Sequence, residues 1–261
     1  MRTYNFFFKP VMLLLVLLLA GFIAKAADGY YYELKIYHCK TPEQQSRTEQ
    51  YLRNAYLPAL HHAGIKHVGV FLPVEKDTAQ TLIYVLVPYS SWDKIAVTDK
   101  KVANDASYLE KGKAYINAPY NELNYTRMET VLLHAFEKMP QPALPLLSAP
   151  KAERVYELRS YESPTEQYHI SKVQMFNAGG EVSLFKRLNF NAVFYADVLA
   201  GSHMPNLMYM TTFNSKADRD AHWKTFGSDP EWKALSAKPE YQHNVSKAEI
   251  TFLHPTDYSD F

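Results

Sequence analysis

Period-two alternation appears twice, in Tyr32-Glu-Leu-Lys-Ile-Tyr37 and in Tyr156-Glu-Leu-Arg-Ser-Tyr161. Successive strand side chains point to opposite faces, so Tyr32, Leu34 and Ile36 share one face and Glu33, Lys35 and Tyr37 the other. In the second segment Tyr156 and Leu158 oppose Glu157, Arg159 and Tyr161. Each strand runs into a helix start, Thr41-Pro42-Glu43-Gln44 and Ser163-Pro164-Thr165-Glu166. In each, a hydroxyl N-cap precedes proline, and Gln or Glu reaches back from the third position. The first helix runs through Tyr51, Leu52, Ala55, Tyr56 and Leu60. Its counterpart runs through Ile170, Val173 and Phe176, is interrupted at Gly179-Gly180 and resumes from Glu181 to Leu188. Strands follow at Val68–Leu72 with Leu82–Val87, and at Ala192–Val198 with Leu207–Phe213. A second helical region starts near Ser91 and near Ser215. The latter breaks at Gly227 and restarts at Asp229-Pro230-Glu231-Trp232. Last strands are expected at Met128–Leu133 and Ala248–Leu253.

The two halves repeat. Besides the opening strands, which lie 124 residues apart, Leu82-Ile-Tyr-Val-Leu-Val matches Leu207-Met-Tyr-Met-Thr-Thr at 125. Glu129-Thr-Val-Leu-Leu-His134 matches Glu249-Ile-Thr-Phe-Leu-His254 at 120, a drift that loop insertions produce. The stretch Pro140-Gln-Pro-Ala-Leu-Pro-Leu-Leu-Ser-Ala-Pro150 disfavours helix and most sheet positions and reads as a linker. The expected organisation is a first unit at 27–138, a linker at 139–151 and a second unit at 152–261. A βαββαβ order is the ferredoxin-like pattern. The fold expected is therefore α+β, with two tandem ferredoxin-like (βαββαβ) units closing into an intrachain dimeric α+β barrel. The apolar strand faces should then meet the helices, and the polar faces the space between the sheets.

Residues 1–26 read as an export signal. Arg2 and Lys9 precede the apolar run Val11–Ile23, and Ala24-Lys25-Ala26 offers a small-x-small cleavage site. The run is shorter than the ~20 residues of a comfortable span, so no membrane span is expected after cleavage. Removing three bases turns 28 Lys+Arg against 27 Asp+Glu into a slightly acidic mature chain, which disfavours a nucleic-acid partner. The expected location is periplasmic or secreted. One Cys, Cys39, excludes a disulfide framework and reads as a packed residue.

Nucleotide, nucleophile-elbow, zincin and EF-hand motifs are absent, and no cofactor is expected. His61, His62 and His67 form the only local histidine cluster, with spacing unsuited to one metal on a helix face, so no metal site is expected. The polar strand face offers one candidate pocket. Arg159 would clamp an acidic or carbonyl group, Tyr161 would donate a hydrogen bond, and Glu157 would orient or accept a proton. The competing and favoured reading makes Glu157–Arg159 and Glu33–Lys35 fixed interior pairs. His203, in a loop expected to rim the barrel, and the aromatic Tyr209 and Trp223 complete the candidate ligand-binding set. No residue is assigned a catalytic role with assurance.

The second unit resembles the exported bacterial members of the NIPSNAP family. The likeness rests on Tyr156-Glu-Leu-Arg-Ser-Tyr161, Met175-Phe-Asn-Ala-Gly-Gly-Glu181, Phe190-Asn-Ala-Val-Phe194, Ala200–Met210, Asp229-Pro-Glu-Trp232 and Leu253–Ser259. The first unit looks like a degenerate copy without the Gly-Gly and Asp-Pro-Glu-Trp segments. The resemblance implies the dimeric α+β barrel and no settled reaction. Two functions stand open: a binding module for a small molecule or protein, and a cofactor-independent monooxygenase-like enzyme using a polar inter-sheet pocket. Homo-oligomer assembly is also open.

Overall fold

A computed structural model describes residues 29–75 and 77–261; the expected signal at 1–26 lies outside the described residues. The first half carries β1 Tyr31–Cys39, α1 Pro42–Tyr51, a π-helical turn Leu52–Tyr56, α2 Leu57–Ala63, β2 Gly69–Pro73 and β3 Thr81–Tyr89. It continues with α3 Asp93–Ala103, α4 Ala106–Lys111, α5 Lys113–Ile116 and β4 Arg127–Ala135. The second half carries β5 Val155–Glu162, α6 Glu166–Phe176, α7 Glu181–Arg187, β6 Phe194–Ala200 and β7 Asn206–Phe213. α8 Lys216–Ser228, α9 Pro230–Ser236, a 3₁₀ turn Pro239–Tyr241 and β8 Lys247–Pro255 complete it. Between Pro140 and Pro150 the chain forms neither helix nor strand. It is fastened where Asn214 Oδ1 accepts from the Ser148 and Ala149 amides, both at 2.9 Å.

The eight strands close into one barrel in the order β1-β3-β2-β8-β5-β7-β6-β4, every pairing antiparallel. Within this ring, β4-β1-β3-β2 and β8-β5-β7-β6 are two arcs of matching order, joined at β2–β8 and β4–β6. Directions alternate around the ring, so β1 and β5 run the same way and end at the same mouth. Closure leaves no strand edge unpaired.

Three apolar clusters follow from this geometry. The barrel interior holds Tyr32, Leu34, Phe71, Leu86, Leu133, Tyr156, Leu158, Phe194, Met210 and Leu253. The helices of the first half pack on Tyr37, Val85, Val87 and Tyr89, and those of the second half on Leu207, Tyr209 and Phe213. This overturns the expected orientation of both opening strands. Tyr32, Leu34 and Ile36 face the barrel interior, whereas Tyr37, with Glu33 on its face, lies against the helices. The same inversion holds for Tyr156 and Leu158 against Glu157, Arg159 and Tyr161. The cause is partner supply. An inward side chain of a small barrel meets mainly other inward side chains, while the helix layer brings long donors such as Arg219 and the Trp223 indole down onto the outer face.

Local signals fared unevenly. Thr41 caps α1 through its hydroxyl, but Gln44 Oε1 accepts from the Lys40 amide at 2.8 Å instead of from Thr41. Ser163 is not a helix cap: α6 starts after Thr165, and the Ser163 hydroxyl donates to Asn244 O. α8 runs through Gly227 to Ser228 without a break there. The interruption at Gly179-Gly180 is real. Gly180 has φ +97°, and a Cβ at Gly179 would sit 2.5 Å from Met175 O.

Candidate functional site

Two constellations stand out, one under the helices and one inside the barrel. Under α8, Glu157 is completely buried and accepts from four donors. Arg159 Nε and Arg219 Nη2 reach Oε1 at 2.7 Å each; Arg219 Nε reaches Oε2 at 2.8 Å and Trp223 Nε1 at 2.7 Å. Arg159 also donates to Tyr161 Oη at 2.7 Å, and Tyr161 and Tyr209 share a hydroxyl–hydroxyl bond of 2.9 Å. A second buried pair, Lys172–Glu181 at 3.1 Å, lies nearby, the Lys172 ammonium 5.6 Å from the Tyr161 ring centroid. Burial pushes the Glu157 carboxyl up, but hydrogen bonds from Arg219 and the charges of Arg159 and Arg219 outweigh it and hold it below the usual range. Glu181 is pushed the other way, its burial exceeding what Lys172 returns. Glu157 has its acceptor capacity filled and no open face for a ligand.

At the mouth where β1 and β5 end lies a cavity of about 200 Å³, lined by inward positions of seven strands and the loop after β6. Its walls include Ile36, Leu82, Val131, Leu158, Val198 and Met208, with Ser160, Asn206, Thr251 and Tyr84 as polar members. Asn206 donates to Ser160 Oγ at 2.7 Å, while its own Oδ1 is buried without a partner. Burial pushes the Tyr84 phenol up to about 12, with the Thr251 hydroxyl moderating the rise, so it stays protonated at neutral pH. The rim carries two histidine–carboxylate pairs. His38 Nε2 lies 2.7 Å from Glu129, with Gln80 at its other ring nitrogen, and His203 Nδ1 lies 3.1 Å from Glu162.

Of the six residues singled out from sequence, His203 lines this cavity. Glu157, Arg159, Tyr161, Tyr209 and Trp223 come together, but behind the sheet and beneath the helices, so they form no inter-sheet pocket. His61 pairs with Asp260 and His62 with Asp105, and no group of His, Cys, Asp or Glu among the described residues could hold a metal ion. The cavity residues Ser160, Asn206 and Thr251 were missed. Their signal was a polar side chain on a strand face otherwise filled by Leu158, Met208, Met210 and Leu253.

The fold and site define a single-chain, eight-stranded antiparallel α+β barrel with a ligand-sized space at one mouth. Residues 156–260, within the second half of the chain, match the NIPSNAP family model. Among solved structures, a proposed monooxygenase of Fusobacterium nucleatum is similar at 9% identity and TM-score 0.55, over 87% of this chain and 93% of that one. A proposed monooxygenase of Lactobacillus acidophilus is similar at 12% identity and TM-score 0.52, over 87% and 94%. A NIPSNAP family protein of Agrobacterium tumefaciens aligns at 20% identity over 41% of this chain and 97% of its own, with TM-score 0.36. The first two likenesses establish the barrel fold alone. No curated protein matches the chain at a significant level.

Proposed function

We propose that the chain is an exported binding protein that takes a small molecule into the barrel-end cavity. The observation that carries this reading is that Asn206, a residue of the cavity lining, keeps its Oδ1 buried without a partner. A buried polar atom without a partner is costly, and a ligand donor would satisfy it. The volume is below the ~300–1,000 Å³ of drug-sized sites, which points to a compact ligand. A monooxygenase-like reading is supported only by likeness of fold, and Glu157, Arg159 and Tyr161 lie outside the barrel interior.

The test is a ligand screen of the purified protein against fractionated small molecules of the producing cell, read by native mass spectrometry and thermal shift. Val198→Phe, which fills the cavity, serves as the control. A bound mass retained by wild type and lost in Val198→Phe supports the reading; equal retention by both overturns it.

The two arcs of matching strand order and the repeated segments support descent from two tandem ferredoxin-like units. Export rests on the basic, apolar and Ala-x-Ala segments of residues 1–26. N-terminal sequencing of the secreted or periplasmic form should begin at Ala27; a chain beginning at Met1 in the soluble fraction would rule export out.

A further inference from the structure

Strand registers place the two halves of the cavity wall in correspondence. Leu34 faces Leu86 and Val131 across its neighbours, as Leu158 faces Met210 and Thr251. Stepping toward the mouth from those anchors, Ile36 corresponds to Ser160, Leu82 to Asn206 and Val131 to Thr251. In each of these three pairs the first half supplies an aliphatic side chain and the second half a hydroxyl or amide. The pair Tyr84 and Met208 runs the other way, with the phenol in the first half and the apolar side chain in the second. The cavity therefore carries its hydroxyl and amide groups at Ser160, Asn206, Thr251 and Tyr84, among apolar side chains that come from both halves, Leu158, Val198 and Met208 included. The polar set is itself incomplete, since Asn206 is buried and its Oδ1 has no partner.

The rim sets the charge preference. Glu129 and Glu249 line the opening with His38 and His203, and each histidine is already engaged by a carboxylate, His38 by Glu129 and His203 by Glu162, which Lys247 also contacts. Among the described residues no lysine or arginine lines the cavity. A carboxylate or phosphate entering would meet acids at the rim and no fixed positive charge at the wall, and desolvating it would go uncompensated.

Resting on the binding reading above, we propose that the site selects a compact, uncharged molecule with an apolar body and one hydroxyl on its edge. The hydroxyl donates to Asn206 Oδ1 on the β5/β7/β8 wall, and the apolar body lies against Ile36, Leu82 and Val131. Asn206 is the residue that sets this specificity, acting by direct contact with the ligand's hydroxyl.

Three probes of one carbon skeleton separate the terms: benzyl alcohol, toluene and benzoate, titrated by ¹⁵N-resolved NMR and calorimetry. Benzyl alcohol should bind about five- to tenfold tighter than toluene, the ratio one net hydrogen bond supplies, and benzoate weakest of the three. Asn206→Leu, which copies the corresponding Leu82, should bring benzyl alcohol down to the affinity of toluene while leaving toluene binding intact. If Asn206→Leu fails to fold, Asn206→Ala, which removes the amide without adding bulk, should abolish the same ratio. Equal binding of toluene and benzyl alcohol, or benzoate binding best, overturns the selectivity while leaving the cavity as a site. Failure of all three probes to bind removes the cavity reading along with it.

Discussion

The Arg159 guanidinium sits 3.6 Å from the ring centroid of Trp223, and both residues donate to the same carboxylate, Glu157. Arg219 completes the arrangement, so two positive charges and an indole N–H converge on one buried acid. This is a positioning device for α8 on β5. Removing the acid strands four N–H donors of three residues beneath the helices. Glu157→Ala is therefore expected to destabilise the protein by about 3–5 kcal/mol in urea unfolding, the cost of breaking one side of a buried pair. A change below about 1 kcal/mol would mean that water reaches the network.

The same carboxylate shapes the acid limb of stability. Its folded pKa lies below the ordinary value, so its contribution is present above that value and lost as pH falls through the folded pKa. Glu181 has the opposite sign. Its raised folded pKa gives a contribution present below the ordinary value and lost as pH rises through the folded one. Unfolding free energy followed from about pH 2 to about pH 8 should lose less on acidification in Glu157→Gln than in wild type. Glu181→Gln should instead flatten the slope above the ordinary carboxylate range. Parallel curves for all three proteins would contradict both assignments.

Asp229 explains the Asp-Pro-Glu-Trp segment without a ligand. Its side chain accepts from the Glu231 and Trp232 amides at the start of α9 and also from Arg187 of α7. Trp232 then stacks near Phe226, ring centroids 4.4 Å apart. Asp229→Ala should lower the melting temperature by a few degrees and leave ligand binding in the barrel unchanged. Lost binding would reassign the segment to the site.

Cys39 is buried in the helix layer of the first half, and burial raises its thiol pKa. A thiol that is both covered and protonated is a poor nucleophile. Incubation of native protein with a thiol reagent should give almost no labelling, and complete labelling in denaturant. Rapid native labelling would show that α1 opens readily from β1.

Much of the fold was legible because strand alternation, helix caps and the repeat are local or periodic signals. Gly179-Gly180 marked a chain bend that only glycine fits, and Pro140 to Pro150 marked the stretch without helix or strand. The site was legible in outline only. His203 was found because a loop between strands must reach a barrel mouth. Asn206 and Ser160 passed unnoticed because a single polar residue in a strand carries no local sign of what it faces.

Sequence alone determined that Glu157, Arg159 and Tyr161 share one face and Tyr156 and Leu158 the other, because the pleat has a period of two. It could not determine which face turned inward. In a closed barrel jacketed by helices both faces are buried, so hydropathy does not distinguish them. The tertiary structure decided it through partners: Arg219 and Trp223, more than sixty residues away, supply the donors that Glu157 needs. Closure of the ring by β2–β8 and β4–β6 then brought Leu82 and Asn206 to opposite walls of one cavity, a relation that no local pattern contains.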